Sequence, residues 1–388
     1  MMESIIQENQ MRAHLLRTWT QVTDDLEKNI VPLVSDDKYE DIVLQKNDAD
    51  TKKAINGTIR ECELLKRQLK EWYPNVIAGK DTDIKPGGKE LLRWYCREIW
   101  IAEQNLPDNN STTHAVAIAV EETTGSHSSP SVDLIENVAQ VMNCELGMFD
   151  YLVNKVGYET ANMKRVMKFC RKISNIVLTT KDVFIERTHR EFNIQTSHAV
   201  HSKLMSGLLK DSELVTIRTR DVDSGVHGRN FLKHERCQEH LDELFRFVKE
   251  KKEEILSVAD VTDYQKFENL LVLGSIFLVE FLGIHPYVNG NGRTARILFS
   301  LLVSDLFNAV PISLFRAGPK LKRHEERKLY INTLECSRAY SHSAMVRWVF
   351  QCTISHLSQL ALMTGYNWQR IVAASDQTTQ SPVEEVPE

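Results

Sequence analysis

Residues 285–296 of this chain read HPYVNGNGRTAR and separate two segments with helical patterns. The upstream segment, 270–284, is almost entirely apolar, and the downstream segment repeats Ile and Leu at the spacing of one buried helix face. Two glycines bracket Asn291 where the second helix begins. Free backbone N–H groups at a helix N-terminus, together with the turns that glycine permits, form a concave site for an anion. The stretch therefore predicts a helix–loop–helix unit with an anion-binding loop at its centre.

The charged side chains around this loop suggest a reactive site. Arg293 and Arg296 are three residues apart, so both guanidinium groups can lie on one face of the second helix. Such a pair can clamp a polyphosphate through bidentate hydrogen bonds. His285 precedes the loop and is placed to take a proton from an attacking hydroxyl, although a helix C-terminus favours its charged form. A plain turn between core helices would need none of these three residues, so we interpret the stretch as a phosphate-binding loop with a general base.

The stretch resembles the signature of the Fic (Fido) family, His-x-Phe-x-Asp/Glu-Gly-Asn-Gly-Arg-x-x-Arg, with Tyr287 in place of the phenylalanine. The resemblance implies a protein adenylyltransferase, which transfers AMP from ATP to a Ser, Thr or Tyr hydroxyl of a target protein. It further implies that His285 is the general base and that Arg293 stabilises the developing charge. The residues implied to bind ATP are Gly290, Asn291, Gly292, Arg293 and Arg296.

The sequence departs from the signature at Asn289, where the family has a metal-binding acid. A neutral amide oxygen can ligate Mg²⁺ or Mn²⁺ but lacks the charge attraction of a carboxylate. We therefore expect a weak metal site in which the nucleotide phosphates supply most ligands. The departure leaves two alternatives open: a Fic-type phosphotransferase, or a catalytically weak module that binds a nucleotide or a partner. The intact His285 argues against the module, because binding alone needs no base.

The tripeptide Ile-Glu-Asn at 135–137 resembles the inhibitory helix of many Fic proteins, whose glutamate pairs with the last signature arginine. The Ser/Thr position of that pattern falls on Val132, and Ser131 lies one residue early. A carboxylate on Arg296 would compete directly with the γ-phosphate for the same guanidinium. Glu136 is therefore predicted to be inhibitory, with a solvated helix glutamate as the alternative. Autoinhibition and a reversible reaction are left open on this basis.

The helical patterns predict a predominantly all-α fold. The resemblance implies that it contains a Fic-type helical core with a small β-hairpin flap, preceded by helical N-terminal regions. The hairpin is expected within 214–232, and in the family such a flap aligns the target by strand addition. Helices are expected near 235–256, 264–283, 292–308, 320–338 and 343–363. The predicted organisation is a helical region of unknown role at 1–105, a loop or linker at 106–130, a helical region with the inhibitory helix at 131–189, the Fic domain at 190–365 and a disordered acidic tail at 373–388.

Composition narrows the classes of partner and compartment. A net charge of −5 gives no electrostatic reason to expect nucleic acid or an anionic membrane as the main partner. Seven cysteines without CxxC pairs indicate a reducing compartment and no zinc site. His342 is not spaced from other histidines in the way that metal ligands usually are. The apolar run 270–284 is short for a membrane span and contains Glu280, which predicts a core helix. We expect a cytoplasmic protein, with the nucleus as an alternative, whose partners are ATP and a hydroxyl-bearing target protein; a homodimer is left open.

Overall fold

A computed structural model describes residues 2–27, 88–104, 110–123, 130–142, 161–186, 191–222, 231–304, 312–314 and 323–363. In these residues the fold is all-α, as predicted, and no strand is assigned. The helices are α1 (Met2–Glu27), α2 (Gly88–Gln104), α3 (Asn110–Glu122), α4 (Val132–Val141), α5 (Ala161–Thr180), α6 (Ile194–Met205), α7 (Asp211–Leu214), α8 (Cys237–Ser257), α9 (Asp263–Ile284), α10 (Asn291–Val303), α11 (Arg323–Ala339) and α12 (Ser343–Met363). A π-helical turn, Lys181–Ile185, extends α5, and a 3-10 turn, His234–Arg236, precedes α8.

Helix α9 is the centre of the fold and packs against α1, α8, α10, α11 and α12. A capping box starts it: Thr262 Oγ1 accepts the Gln265 N–H at 3.3 Å, and Gln265 Oε1 accepts the Thr262 N–H at 3.0 Å. By length and composition α9 is the one helix of the described part that could cross a membrane, but 72% of its apolar window is buried inside the protein. This burial agrees with the core helix predicted from the sequence.

The helices before the phosphate loop share a core with it. α2 packs against α3, α5, α10 and α11, while α5 packs against α6, which in turn lies against α10. A single cluster of buried apolar side chains includes members of α1 through α12. α1 crosses α8, α9 and α12 on another side of the central helix. The N-terminal helices therefore contribute directly to the packing around the loop.

One sequence prediction is corrected by this packing. Residues 106–130, predicted as a loop or linker, contain helix α3 (Asn110–Glu122). Its Ala115, Val116, Ala119 and Val120 are buried, and their spacing of three and four residues places them on one helix face. The Asn, Ser and Thr residues that suggested a loop form the first turn of this helix, where their short polar side chains are tolerated. Burial of the apolar face outweighs their weak helix propensity.

Two other predictions fall partly or wholly outside the described residues. The acidic tail at 373–388 lies outside them, as do residues 223–230 at the centre of the predicted hairpin. The flanking residues 215–222 and 231–233 form bends and irregular structure, with no strand assigned. The hairpin as a whole therefore stays a prediction.

The crossing of α9 and α10 depends on a glycine, which generates a stability prediction. A Cβ at Gly274 would lie 2.6 Å from Phe299 Cδ2, whereas a Cβ at Gly283 would meet Arg338 Nε at 3.3 Å. Both Gly→Ala changes add similar helix propensity, but only Gly274→Ala overpacks the core. We expect Gly274→Ala to be less stable than Gly283→Ala by about 1–3 kcal/mol in urea unfolding. Equal stabilities of the two variants would contradict this close approach.

Candidate active site

The loop between α9 and α10 is closed by one side chain. The Oδ1 atom of Asn291 accepts the Tyr287 N–H at 3.0 Å, and its Nδ2 donates to the Tyr287 carbonyl at 2.7 Å. Asn291 is buried, so these two hydrogen bonds are shielded from water. The Asn291 side chain thus fixes the shape of the loop, and its backbone N–H is what remains for the predicted contact with ATP.

Tyr287 anchors the loop to helix α6. Its ring is fully buried and stacks on His201, with ring centroids 3.8 Å apart. Its hydroxyl lies 2.8 Å from Ser197 Oγ and 3.1 Å from His198 Nδ1. Burial raises the pKa of this hydroxyl, and the Ser197 hydrogen bond partly opposes that shift. The two polar partners on α6 explain how a tyrosine is accommodated where the signature has phenylalanine.

His201 connects the loop to α7. Its Nδ1 lies 2.8 Å from the Leu214 carbonyl and its Nε2 lies 2.9 Å from the Asn289 carbonyl. A neutral imidazole has one N–H and can donate to only one of these carbonyls at a time. Burial lowers the pKa of His201, while the two backbone hydrogen bonds oppose the shift. The His201 ring therefore links the backbone of Asn289 in the loop to the backbone of Leu214 at the end of α7.

The N-terminus of α10 offers free backbone donors. Gly290 precedes the helix with φ +84° and supplies no side-chain cap. The first N–H groups of α10, which include those of Asn291 and Gly292, therefore lack intrahelical acceptors and can bind an anion. A Cβ at Gly290 would lie 2.7 Å from Met205 Sδ, so both the φ angle and the close packing require glycine.

The two predicted arginines are both buried but have different surroundings. Arg293 is 4% exposed, and its Nη2 donates to Met205 Sδ at 3.1 Å. Burial lowers the pKa of Arg293 to about 10. Burial also lowers the pKa of Arg296, against the opposing influence of Tyr330 and Tyr95. Arg293 lies beside the loop, whereas Arg296 lies towards α2 and α11.

Helix α5 adds positive charge next to Arg293, which the sequence analysis missed. Lys172 is half-buried, and its pKa is lowered to about 8 by burial and by the charges of Arg293 and Lys168. Its Nζ also lies over the Phe169 ring, 4.8 Å from the centroid. Cations gathered in this way favour an anionic ligand. The residues are far apart in the chain, so no local motif identifies them.

His285 is held in an uncommon backbone conformation at the end of α9. Its φ of 52° is the one positive value for a non-glycine residue in the described part. Its N–H donates to the Phe281 carbonyl at 2.9 Å, and its ring stacks on Phe231 with centroids 3.9 Å apart. Burial, followed by the charges of Arg218 and Arg338, lowers its pKa to about 4, although the Leu282 carbonyl opposes this. The imidazole is therefore neutral at pH 7, despite the helix C-terminus that favours its charged form.

Arg218 ties the predicted flap segment to the end of α9. Its Nε donates to the His285 carbonyl at 2.8 Å, and its Nη2 donates to the carbonyls of Ile284, at 3.3 Å, and Leu232. Its backbone N–H donates to the Pro286 carbonyl at 2.9 Å. Phe231 comes from the other side of the same segment, so both arms of 214–232 converge on His285. From sequence, Arg218 was only one of the residues that suggested a hairpin.

Two predicted site residues are exposed. Glu136 lies on the outer face of α4, which packs against α3 and α5, and no hydrogen bond or ion pair joins its side chain to Arg296 among the described residues. The predicted inhibitory pairing is not formed in this structure, and the role of Glu136 stays a prediction.

Asn289, at the predicted metal position, has its own hydrogen bond: its Oδ1 accepts the Gly290 N–H at 2.7 Å. A single neutral oxygen that is already hydrogen-bonded does not fit a Mg²⁺ site held by the protein.

The chain was compared with known families and structures. Residues 191–303 match the model of the Fic/DOC family. A Fic family protein from Desulfovibrio desulfuricans G20 is similar at 16% identity, over 80% of this chain and 76% of that one, with a TM-score of 0.48. Fic-1 from C. elegans is similar at 14% identity over 84% and 81%, with a TM-score of 0.48. A Fic domain containing signaling protein from Bacteroides thetaiotaomicron is similar at 12% identity over 78% and 97%, with a TM-score of 0.44.

The family match runs from α6 through the segment 214–232, α8, α9 and the loop to the end of α10. Lys172 on α5 and Glu136 on α4 lie outside it. Both the loop and the α6 residues that pack against Tyr287 therefore lie inside the matched residues. Residues 191–303 therefore match a Fic/DOC domain, in agreement with the resemblance seen in the sequence of the loop.

Proposed function

We propose that this protein is an adenylyltransferase that transfers AMP from ATP to a hydroxyl group of a target protein. Proteins with a Fic domain are generally transferases, and the choice of AMP as the transferred group is our inference. The observation that carries it is the neutral imidazole of His285 at the end of α9, next to the uncapped N-terminus of α10. A base beside an anion-binding helix end suits attack of a hydroxyl on a phosphate.

The proposed reaction is a single displacement at the α-phosphorus. A Ser, Thr or Tyr hydroxyl oxygen of the target forms a bond to the α-phosphorus as its proton passes to the His285 ring. The bond from that phosphorus to the bridging oxygen breaks, and pyrophosphate leaves with the electron pair. An imidazole with a pKa near 4 is a weak base, but the negative charge of bound ATP would raise this pKa towards neutrality. Substrate binding would thus complete the base.

The phosphates would be held by groups that the fold already keeps out of water. The backbone N–H groups at Gly292 and Asn291 bind the phosphate nearest His285, and Arg293 stabilises the charge that develops there. Lys172 adds a second cation beside Arg293. The assignment of the terminal phosphate to Arg296 rests on the resemblance alone, because its guanidinium lies towards α2 and α11. Mg²⁺ or Mn²⁺ would arrive with ATP, and no step is assigned to a metal at Asn289.

A Fic-type phosphotransferase is the second candidate, and the neutral Asn289 favours it. Asparagine stands where the signature has an acid, and its amide oxygen already accepts the Gly290 N–H.

The target protein, which we place in the cytoplasm, would approach along the segment 214–232 because both arms of this segment contact the end of α9. The two candidates differ in which phosphate of ATP becomes attached to the target.

The transferred group can be identified with ATP labelled at the α- or the γ-phosphate. With a cell extract as the source of target, we expect label from the α-position only, reduced by about 10²–10⁴-fold in His285→Ala because the base is lost. His114→Ala, on the exposed face of α3, is the matched control and should keep full transfer. Label from the γ-position only would establish the phosphotransferase. Bound ATP with no label from either position would contradict both candidates and favour a binding module.

Two further variants test the departures from the signature in the same assay. Asn289→Asp restores a carboxylate, so we expect more transfer at low Mg²⁺ concentration. Glu136→Gly should leave transfer unchanged, because the Glu136 side chain is exposed and is not joined to Arg296 in the part of the chain that the structure describes. Increased transfer in Glu136→Gly would instead support the inhibitory role predicted from the sequence.

Burial and, after it, the charge of Arg218 keep His285 neutral, and the contribution of Arg218 can be measured without turnover. Removing a nearby positive charge stabilises the protonated imidazole, so Arg218→Gln should raise the pKa of His285 from about 4 towards its ordinary value of 6.5. The titration is followed by NMR of the His285 ring. Arg220→Gln removes an equal charge at an exposed neighbour and should leave this pKa unchanged. A His285 pKa that is equal in the two variants would contradict the role of Arg218.

The contribution of Lys172 can be separated from general charge effects. Lys172→Gln should weaken ATP binding by about two- to fivefold, because a half-buried cation beside Arg293 is lost. Lys164→Gln, an exposed lysine on the same helix, is the matched control and should bind ATP like the unmodified protein. Calorimetric titration with ATP at low and moderate salt measures the affinity of each variant. Equal affinities for the two variants would remove Lys172 from the site.

A further inference from the structure

Away from the phosphate loop, three helical elements bring together two imidazoles and a carboxylate. His14 lies on α1, Glu280 on α9, and His342 immediately before α12. His14 Nε2 lies 2.9 Å and His342 Nε2 lies 2.8 Å from the same oxygen, Glu280 Oε1. The three potential ligand atoms lie within 4.8 Å of one another, and the described residues contain one such group.

The carboxylate of this cluster is held charged in an apolar helix. Glu280 is the one charged residue in the run 270–284. Burial alone would raise the pKa of Glu280, but the hydrogen bonds and charges of His14 and His342 outweigh it and lower the pKa to about 2. The carboxylate is therefore ionised at any physiological pH, and both imidazoles point their Nε2 atoms at it.

The position of His342 is fixed by its surroundings. Its carbonyl accepts the N–H groups of Met345 at 3.0 Å and Val346 at 3.2 Å, which begins α12. The neighbouring Ser343 Oγ donates to Asp25 Oδ2 of α1 at 2.9 Å. His342 is buried, whereas the side chain of His14 is 45% exposed. The cluster is thus built on a rigid frame and remains open to solvent on the side of α1.

We propose that His14 Nε2, His342 Nε2 and a Glu280 oxygen bind a divalent transition metal of the Zn²⁺ type. Two imidazole nitrogens and one carboxylate oxygen with a fourth position open to water are a recurring zinc ligand set. Ligand distances of about 2.0–2.2 Å place tetrahedral ligand atoms about 3.4 Å apart. Each nitrogen would move by about half an ångström from its present hydrogen bond, which side-chain rotation can supply.

Metal binding at this cluster competes with protons. At present both imidazoles donate an Nε2–H to Glu280, so each ring must carry its proton on Nδ1 before Nε2 can ligate. The hydrogen bond to Glu280 raises the pKa of His14, whereas the charge of Arg17 on α1 lowers it. His240 on α8 also faces the cluster, but burial and Arg236 lower its pKa to about 4, so it adds no charge at pH 7. Affinity should therefore fall in acid.

The sequence hides this site because its ligands come from distant positions. The expectation of no zinc site rested on cysteine spacing, and the three ligands here are separated by 266 and 62 residues. A bound metal would join α1 and α12 to α9 at Glu280, which lies five residues before His285. This gives the N-terminal helix a function that does not depend on the proposed transferase activity.

The test uses the full chain, freed of metal with a chelator, and Zn²⁺ alone as the probe. Calorimetric titration should show one ion bound per chain. His14→Gln and His342→Gln should each weaken binding at least about tenfold. His114→Gln, an exposed histidine on α3, is the matched control and should bind like the unmodified protein. Co²⁺ should give visible absorption bands that are absent in His14→Gln.

Thermal unfolding provides a second measurement that separates binding from folding. Zn²⁺ should raise the Tm of the unmodified protein and of His114→Gln, but not that of His14→Gln, because only a ligand that binds the folded state stabilises it. The Tm of metal-free His14→Gln establishes that this variant folds. Zn²⁺ binding in His14→Gln as tight as in His114→Gln would overturn the proposal. So would an equal rise in Tm for the two variants.

Discussion

The paired hydrogen bonds between the Asn291 side chain and the Tyr287 backbone are the interaction on which the site depends. They fold the chain back on itself between α9 and α10, so that one helix ends and the next begins a few residues apart. This closure exposes the first N–H groups of α10 and keeps His285 at the end of α9. Because Asn291 is buried, losing either hydrogen bond would leave a buried polar group unsatisfied, which is costly.

The electrostatics of the site are those of a protein that holds cations out of water. Arg293 and Arg296 are buried and Lys172 is half-buried, and burial lowers the pKa of each of them. Buried positive charge is unfavourable on its own and becomes favourable when an anion binds. A different set of interactions keeps His285 neutral: burial first, and then the charges of Arg218 and Arg338. The cations near α10 therefore favour an anionic ligand, while burial and two other arginines leave His285 able to accept a proton.

Helix α9 connects the candidate active site to the proposed metal-binding cluster. Its C-terminus carries His285 and its side carries Glu280, five residues earlier, which receives His14 and His342. The π-stacked Phe231 and the carbonyl contacts of Arg218 hold the end of the helix, while α1 and α12 hold its side. Since protein interiors are closely packed, a change in either set of contacts transmits strain along α9. The apolar residues of α9 pack in the core, and its one charged residue in 270–284, Glu280, receives the two histidines.

The sequence alone determined the elements whose signals are local. The periodic helices from α8 to α12 lie close to where they were expected, and the loop 285–290 lies between α9 and α10, since helix patterns and turn residues act over a few positions. Contacts between distant residues were decided only by the tertiary structure. α3 was taken for a linker because its polar first turn hid a short buried face. The roles of Arg218, Lys172 and the His14–Glu280–His342 cluster depend on which helices meet, and no local pattern records that.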